Sequence, residues 1–592
     1  MNQPIPAFRS SRRGFLGLAA AATAGLALSA CGGDTTTPGT DTSGGAAKSI
    51  RTGAAAEAFY IAGMQWAAPT NFNPLNGAPA FPNAADQPEL IYEHLLRWNM
   101  LNNKLEPGLG KELKAVDDYT WEIPLQDGTK WNDGSELTAD DAVFTFTLAK
   151  DAAVTYSTVW LYLDDVVAKD ARTVVFTLKK DPYNPLFVAN TIARTPILPK
   201  AYWSKLTNET LISDTNLAPI GSGPFKVGKY DQTQIVLTRD DAYWGKTVYG
   251  TPPMASFIHP IFKGNQDGDL KLETGDIDVS QQFTAQIWKM WEKGKPVSTW
   301  LKEKPYHIPG NPITLVINLS KKGLDNVGVR KALAYAINYP DIASKAISDY
   351  SSTVNASLIL PEGSEAPFYD QAAVDASGWK YDSAKAIDIL ENELKCTKGS
   401  DGIYSLPDGT RLGPWKIVTP TGWTDWNTSC EIVAKSAQAV GIDLSTNFPQ
   451  APTLIAARNV GDFDIVHFGY SAVSYATPWA RFRDALDDRG VAAIGKDAFW
   501  NWGRFADPAV PALLDAAAAE KDEAAAKAKY QQLDEIFRKN IPCIPLMYRP
   551  YQFFQHNDGT WTNFPTKENA YAPPTFGGQG ILWVFKVKRV GS

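Results

Sequence analysis

The sequence predicts an α/β protein of two lobes, and three observations carry that prediction. A chain of 592 residues is longer than one hydrophobic core usually supports. Its first half is rich in strand-like segments, whereas after about residue 310 strands alternate with helical stripes, the pattern of an α/β lobe. An extended segment returns after the last helix, from Ile544 onward, so two lobes would share more than one connecting strand.

Composition narrows the function. Apolar residues make up 44% and charged residues 20%, ordinary for a soluble folded chain. Net charge is −7, and no Lys/Arg cluster is interleaved with aromatics, which argues against a nucleic-acid ligand. Trp, Tyr and Phe number 19, 23 and 26, more than a core needs, so some rings are expected to face a ligand. Beyond Cys31 there are Cys396, Cys430 and Cys543. Outside the cytoplasm Cys396 and Cys430 can pair, leaving one thiol over; small buried apolar residues is an equally good reading.

The chain opens on Arg12-Arg13-Gly14-Phe15-Leu16, an Ala/Leu run, and Leu28-Ser29-Ala30-Cys31. Charge, an apolar run shorter than the ~20 residues of a membrane span, and small residues before a cysteine read as a secretory signal over 1–31. The arginine pair looks like a twin-arginine signal, and the last four residues resemble a lipobox that would lipidate Cys31. Residues 32–57 are Gly/Thr/Ala/Ser-rich and read as a flexible tether to the outer face of the membrane.

Folded structure is expected from Ala58, with a first strand at Phe59-Tyr60-Ile61. Leu90, Ile91, Leu95 and Leu96 fall at helical spacing and predict a helix from Glu89 to Trp98. Tyr119–Leu125 and Thr173–Leu178 have strand composition, and Thr138 is placed to cap a helix with Asp140 and Asp141 at its positive end. After Gly221-Ser222-Gly223-Pro224, Lys226–Tyr230 and Ile235–Arg239 make a hairpin. A buried-type strand is predicted at Ile313–Asn318, followed by a helical stripe of Val329, Ala332, Leu333, Ala336 and Ile337. Asp382 caps a further helix, Glu431–Val440 is another stopped by Gly441, and Asp507-Pro508 opens a helical region reaching about Asn540.

Signatures of enzyme chemistry are missing. No Gly-x-Ser-x-Gly is present, and Gly245-Lys246-Thr247 lacks the glycine a phosphate loop needs where Asp240 stands. His94, His259, His307, His467 and His556 are too scattered for a helical metal pair, and adjacent acids such as Asp140/Asp141 suit caps better than glycosidase work. The residues point to a binder without metal or cofactor.

At this point a resemblance enters. Gly128–Phe144, Gly221-Ser-Gly223-Pro224-Phe225, Asn318-Leu-Ser, Val329–Ile337 and Ile544-Pro545-Leu546, in this order behind a lipoprotein-like signal, resemble family 5 extracellular solute-binding proteins of ABC importers. The resemblance implies a two-lobed, periplasmic-binding-protein-like fold (class II, cluster C) with an extra β-rich subdomain in the first lobe and a hinge. Lobe I would span 58–309 with the return segment 544–592, and lobe II 310–543. It also implies a monomer that hands its ligand to ABC permease subunits. Peptide binders of the family hold the ligand's ammonium with an Asp in a stretch matching Phe468–Arg481, yet no acid lies between Asp464 and Asp484. With Thr477-Pro478-Trp479 and Gly441-Ile-Asp-Leu before Phe448-Pro449, the stretch resembles a subgroup that binds β-linked oligosaccharides such as cello- or manno-oligosaccharides.

Pyranose C–H faces pack on flat rings and their hydroxyls need directional polar partners. Loop tryptophans beside amides are therefore the expected groove: Trp66, Trp423, Trp426, Trp479 and Trp502, with Asn71, Phe72, Asn73, Tyr475 and Arg481. An oligopeptide receptor is the alternative, and a secreted glycosidase the reading from another class.

Overall fold

The computed structural model describes residues 49–591. The predicted signal segment, Cys31 and the tether through residue 48 lie outside the described residues. Arg51, placed in the tether by sequence, is tied to the fold: its guanidinium bonds the Asp278 carboxylate at 2.6 Å and lies 4.7 Å over the Tyr60 ring.

In the first half, strands run β1 (Ala58–Ala62), β2 (Leu96–Asn99), β3 (Lys104–Pro107), β4 (Lys114–Ala115), β5 (Thr120–Pro124), β6 (Leu163–Asp170), β7 (Thr173–Leu178), β8 (Phe225–Tyr230), β9 (Gln234–Arg239), β10 (Ser256–Pro260), β11 (Val279–Ser280) and β12 (Val297–Thr299). After them come β13 (Pro309–Ile317), the short hairpin β14 (Thr397–Lys398) and β15 (Tyr404–Ser405), β16 (Trp415–Val418), β17 (Leu444–Asn447), β18 (Ile465–Gly469), β19 (Cys543–Pro550) and β20 (Gln555–Asn557).

The described residues pack within one compact unit that holds three larger sheets. One has seven strands in the order β12-β20-β11-β1-β10-β9-β8, with β1 parallel to β10 and β11. A four-stranded antiparallel sheet, β4-β5-β7-β6, is the extra β-rich layer. The third, β17-β16-β18-β13-β19, is parallel across its first three strands and antiparallel thereafter. The chain passes from the first sheet to the third between β12 and β13 and back between β19 and β20. Because β19 pairs with β13, the return to the first sheet begins at Gln555 rather than at Ile544.

Many local expectations have a visible cause. Thr138 and Asp141 form a capping box at the head of the Ala139–Thr147 helix, with Thr138 N–H donating to Asp141 at 2.9 Å. Asp382 accepts from Lys385 N–H at 2.9 Å, and Gly275 and Gly461 end their helices at φ +84° and +79°. The Glu431–Val440 prediction was short: that helix spans Thr424–Ala439 and takes Asp425 and Trp426 into its first turn. The helical region after Pro508 is two helices, Ala509–Ala519 and Glu523–Asn540.

Glu89 to Trp98 is not a helix. Its carbonyls are spent on distant chain instead: Leu90 O accepts from Phe225 N, Ile91 O from Gly223 N, Glu93 O from Ile197 N and His94 O from Leu109 N, all at 2.8–3.0 Å. Leu90, Ile91, Leu95 and Leu96 are all fully buried, so an all-round apolar environment, not a helical face, explains their spacing. Cys396, Cys430 and Cys543 are free, buried thiols, so the Cys396–Cys430 pair does not form. Among the described residues no helix is long and apolar enough to cross a membrane.

Candidate ligand-binding site

Ligands of open α/β sheets collect beyond the carboxyl ends of the parallel strands, where the strand order reverses. Here that edge carries the segments after β16 and β18. Register places Gly469 opposite Ile313, and Pro309 opposite Pro550, so both inter-sheet crossings leave from the same edge.

A narrow crevice opens there, with about 490 Å³ of atom-free space, open solvent at its mouth included. Asp86, His94, Trp98, Asn190 and Arg194 line it from the first half; Val473 and Ser474 line it from the segment after β18, and Tyr551 from the second crossing. Asp86 sits at φ +62°, and its carboxylate pairs with Arg194 at 2.6 Å, which raises the guanidinium pKa. Gln552 locks the same corner, donating to Asp86 O at 2.6 Å and accepting from Phe576 N at 2.7 Å. Tyr551 meets Trp98 edge to face at 6.3 Å between centroids, and burial pushes its phenol well up. The side-chain oxygen of Asn190 is buried and has no hydrogen-bond partner among the described residues.

Behind the crevice lies a buried charge cluster. Arg97 bonds Glu89 and Glu93, each at 3.0 Å, and Glu93 also accepts from Tyr243 at 2.7 Å and from Trp244 at 2.8 Å. Burial lifts the Glu93 pKa to about 7 against the pull of Arg97, while burial lowers that of His94, whose Nδ1 stands 3.4 Å from Glu89.

At the same sheet edge runs a chain of rings. Trp423 meets Trp426 at 4.8 Å, Trp426 meets Phe468 at 5.6 Å, Phe468 meets Trp502 at 5.7 Å, and Trp502 stacks on Tyr470 at 5.4 Å and 7°. Three of the sequence-selected residues, Trp423, Trp426 and Trp502, are thus brought together. Trp66 and Tyr475 are half-buried and belong neither to this chain of rings nor to the crevice lining.

The other five have their side chains committed elsewhere. Trp479 is not in a loop but opens the Trp479–Leu486 helix; it is 0% exposed, donates to Leu514 O at 2.9 Å and packs on Phe187 and Tyr162 of the first half. Arg481, also 0% exposed, pairs with Glu365 at 2.6 Å and donates to Leu358 O at 2.7 Å and Ser471 O at 2.9 Å. Asn73 donates to Leu211 O at 2.7 Å and Asp214 O at 2.8 Å, Asn71 accepts from Asn73 N at 3.1 Å, and Phe72 packs on Tyr230 at 5.1 Å. These residues build the scaffold: Asn71 and Asn73 are bonded within it, and the Arg481 guanidinium is held through Nε and Nη1, while its buried Nη2 has no partner among the described residues.

Sequence reasoning missed Asp86, Asn190, Arg194, Tyr551 and Gln552. The available signal was Asp86 in a loop between Pro82 and Pro88, and Tyr551-Gln552 directly after a strand ending in Pro550. Neither identifies its partners, which lie far away along the chain.

Comparison with known proteins agrees with this architecture. The family described as bacterial extracellular solute-binding proteins, family 5 Middle, matches residues 104–491. The oligopeptide-binding protein AppA of Bacillus subtilis is 25% identical over 492 residues, covering 81% of this chain and 84% of AppA. A probable peptide-binding protein, YejA, of Agrobacterium fabrum is 24% identical over 84% of this chain and 85% of its own. Among solved structures, a mannohexaose-bound periplasmic oligopeptide-binding protein from Thermotoga maritima superposes with a TM-score of 0.83 and 31% identity, covering 90% of this chain and 99% of that one. Members of this family bind solutes for ABC importers and are not enzymes. The chain belongs to the bacterial extracellular solute-binding proteins of family 5.

Proposed function

We propose that this protein captures a β-linked oligosaccharide of the cello- or manno-type at the carboxyl edge of its five-stranded sheet and hands it to the permease of an ABC importer. The observation that carries this reading is the charge inventory of the site. The crevice carboxylate, Asp86, is already paired with Arg194, and Asp425 beside the tryptophans is paired with Arg549 at 2.9 Å. A peptide's ammonium would therefore meet no free buried anion, and burying it unpaired would be costly. What the crevice does present is the neutral amide residue Asn190 beside the Trp98 and Tyr551 rings, a lining that suits a hydroxyl-bearing ring with apolar C–H faces. The mannohexaose in the Thermotoga relative supports the same class.

An oligopeptide is the second reading, favoured by the peptide-binding names of the curated relatives. The lobes are read as 58–300 with 555–591, and 309–550. Cys31 is read as the lipidated anchor that holds the chain on the outer face of the membrane, exported by the twin-arginine pair Arg12-Arg13.

A thermal-shift panel tests the ligand class. A ligand held at about 100 times its Kd stabilises the folded state by roughly 2.7 kcal/mol, so the matching sugar should raise the melting temperature while short peptides leave it unchanged. A rise with peptides alone would overturn the sugar reading.

A further inference from the structure

Among the described residues, buried arginines are paired with an acid or wrapped by backbone carbonyls, with one exception. Arg97 has Glu89 and Glu93, Arg481 has Glu365, Arg538 has Asp534, and Arg330 is wrapped by the carbonyls of Leu324, Asp325, Asn540 and Ile541. Arg458 has neither an acid nor a carbonyl. It is 9% exposed, and its Nε and Nη2 donate only to the side-chain oxygen of its neighbour Asn459, at 3.2 and 2.9 Å. Nη1 has no protein partner among the described residues, and it is not among the side-chain atoms sealed from solvent without a partner.

The guanidinium is held in place by rings. Its carbon lies 4.3 Å from the Phe468 centroid and 3.9 Å from that of Trp502, in the corner these two rings make at 81°. Trp502 is fixed in turn by stacking on Tyr470. Such a corner favours a cation through the ring faces, yet burial still penalises the charge, and the Arg458 pKa falls to about 10. Phe468 and Tyr470 bracket the carboxyl end of β18, the edge from which the ligand segments leave. A guanidinium with a fixed orientation, no counter-ion among the described residues and its Nη1 N–H groups unused by the protein is suited to bind a carboxylate, because planar charge-assisted hydrogen bonds are stronger than neutral ones.

We propose that Arg458 is a receptor for a carboxylate on the ligand, so that the preferred oligosaccharide carries a uronic acid unit whose carboxylate meets the Arg458 Nη1. This rests on the reading above that the ligand lies at this sheet edge. The same charge inventory that disfavours an ammonium leaves one cation in surplus here, and a uronate would complete it. A peptide C-terminus would offer the same carboxylate.

Calorimetric titration of the protein without its signal segment separates these cases with two matched pairs. The first is cellotetraose against the same tetramer with its terminal C6 oxidised to the carboxylate; the second is a short peptide against its C-terminal amide. The expected result is at least tenfold tighter binding of the acidic tetramer, lost in Arg458→Gln while cellotetraose stays within about twofold. Arg458→Lys, which keeps the charge and loses the planar fork, should retain a preference of roughly threefold. Equal affinity for both members of each pair in the wild type would overturn the proposal, and this needs no variant to fold. A preference surviving in Arg458→Gln would overturn it as well. Should no sugar bind but the free-acid peptide win over its amide through Arg458, the carboxylate role stands and the sugar reading fails.

Discussion

Trp479 joins the two halves of the molecule, its ring set against Phe187 and Tyr162 and its indole N–H satisfied by Leu514 O. Removing that ring leaves a cavity at an internal joint, and buried Trp→Ala changes cost about 3–5 kcal/mol. Denaturant melting of Trp479→Ala is expected to show a loss of that order with ligand affinity of the remaining folded protein largely kept. Unchanged stability with abolished binding would return Trp479 to the groove. The sequence could not make this distinction: a tryptophan beside Pro478 has the same local signature whether its ring meets a sugar or a distant phenylalanine. Asp269 makes a second residue-scale prediction. It accepts from Gln282 at 2.7 Å and Thr284 at 2.6 Å but has no cation, and burial lifts its pKa from 3.8 to about 6. A raised folded value means that the native state holds this proton more tightly. The stabilisation is therefore full below about pH 4 and is lost as pH rises through about 6, by up to about 3 kcal/mol at 1.36 kcal/mol per pKa unit. Asp269→Asn keeps the acceptor and removes the charge, so it should melt higher than wild type at pH 7, the gap closing by pH 4. A gap that does not narrow would mean that the carboxylate is solvated.

Elements with their own punctuation were legible. The Lys226–Tyr230 and Ile235–Arg239 hairpin, the Thr138/Asp141 capping box and the Asp382 cap all follow from residues within a few positions of each other. Glu89–Trp98 was not legible, because most of what fixes its first half lies more than a hundred residues away, at Ile197, Gly223 and Phe225. Gly221 and Gly223 approach it so closely that an added Cβ would stand 2.2 Å from Ile91 O and 2.5 Å from Leu90 O. The Gly-Ser-Gly motif is therefore a packing requirement of this segment, which also carries His94 and Trp98 into the crevice. Gly221→Ala should cost at least about 2 kcal/mol, since a backbone oxygen cannot yield as a side chain can. The same change is expected to weaken ligand binding by moving the crevice wall. Wild-type stability in this variant would show that the two segments are free to separate.

At the scale of the whole molecule, two sheets are linked by two neighbouring crossings, 300–308 and 551–554, with Tyr551 of the second lining the crevice and Gln552 bracing Asp86. Two-lobe organisation was readable because the strand–helix alternation changes near residue 310. The point of return was not, since β19 has the composition of any buried strand and only pairing with β13 assigns it to the third sheet. Of the residues that the sequence singles out for the candidate site, Trp423, Trp426 and Trp502 come together in one chain of rings. Of the crevice residues, Asp86 and Arg194 lie in irregular segments, and Asn190 lies in the Pro185–Ile192 helix, whose sequence does not mark it as facing a crevice. The central claim is that the ligand is an oligosaccharide bound at this edge. Calorimetric titration with separate panels of β-linked gluco- and manno-oligosaccharides and of short peptides tests it most directly. One-to-one binding of a sugar is expected, weakened about tenfold by Asn190→Leu, which removes one hydrogen-bond acceptor worth about 1.4 kcal/mol. One-to-one binding of peptides with no heat from any sugar would contradict it.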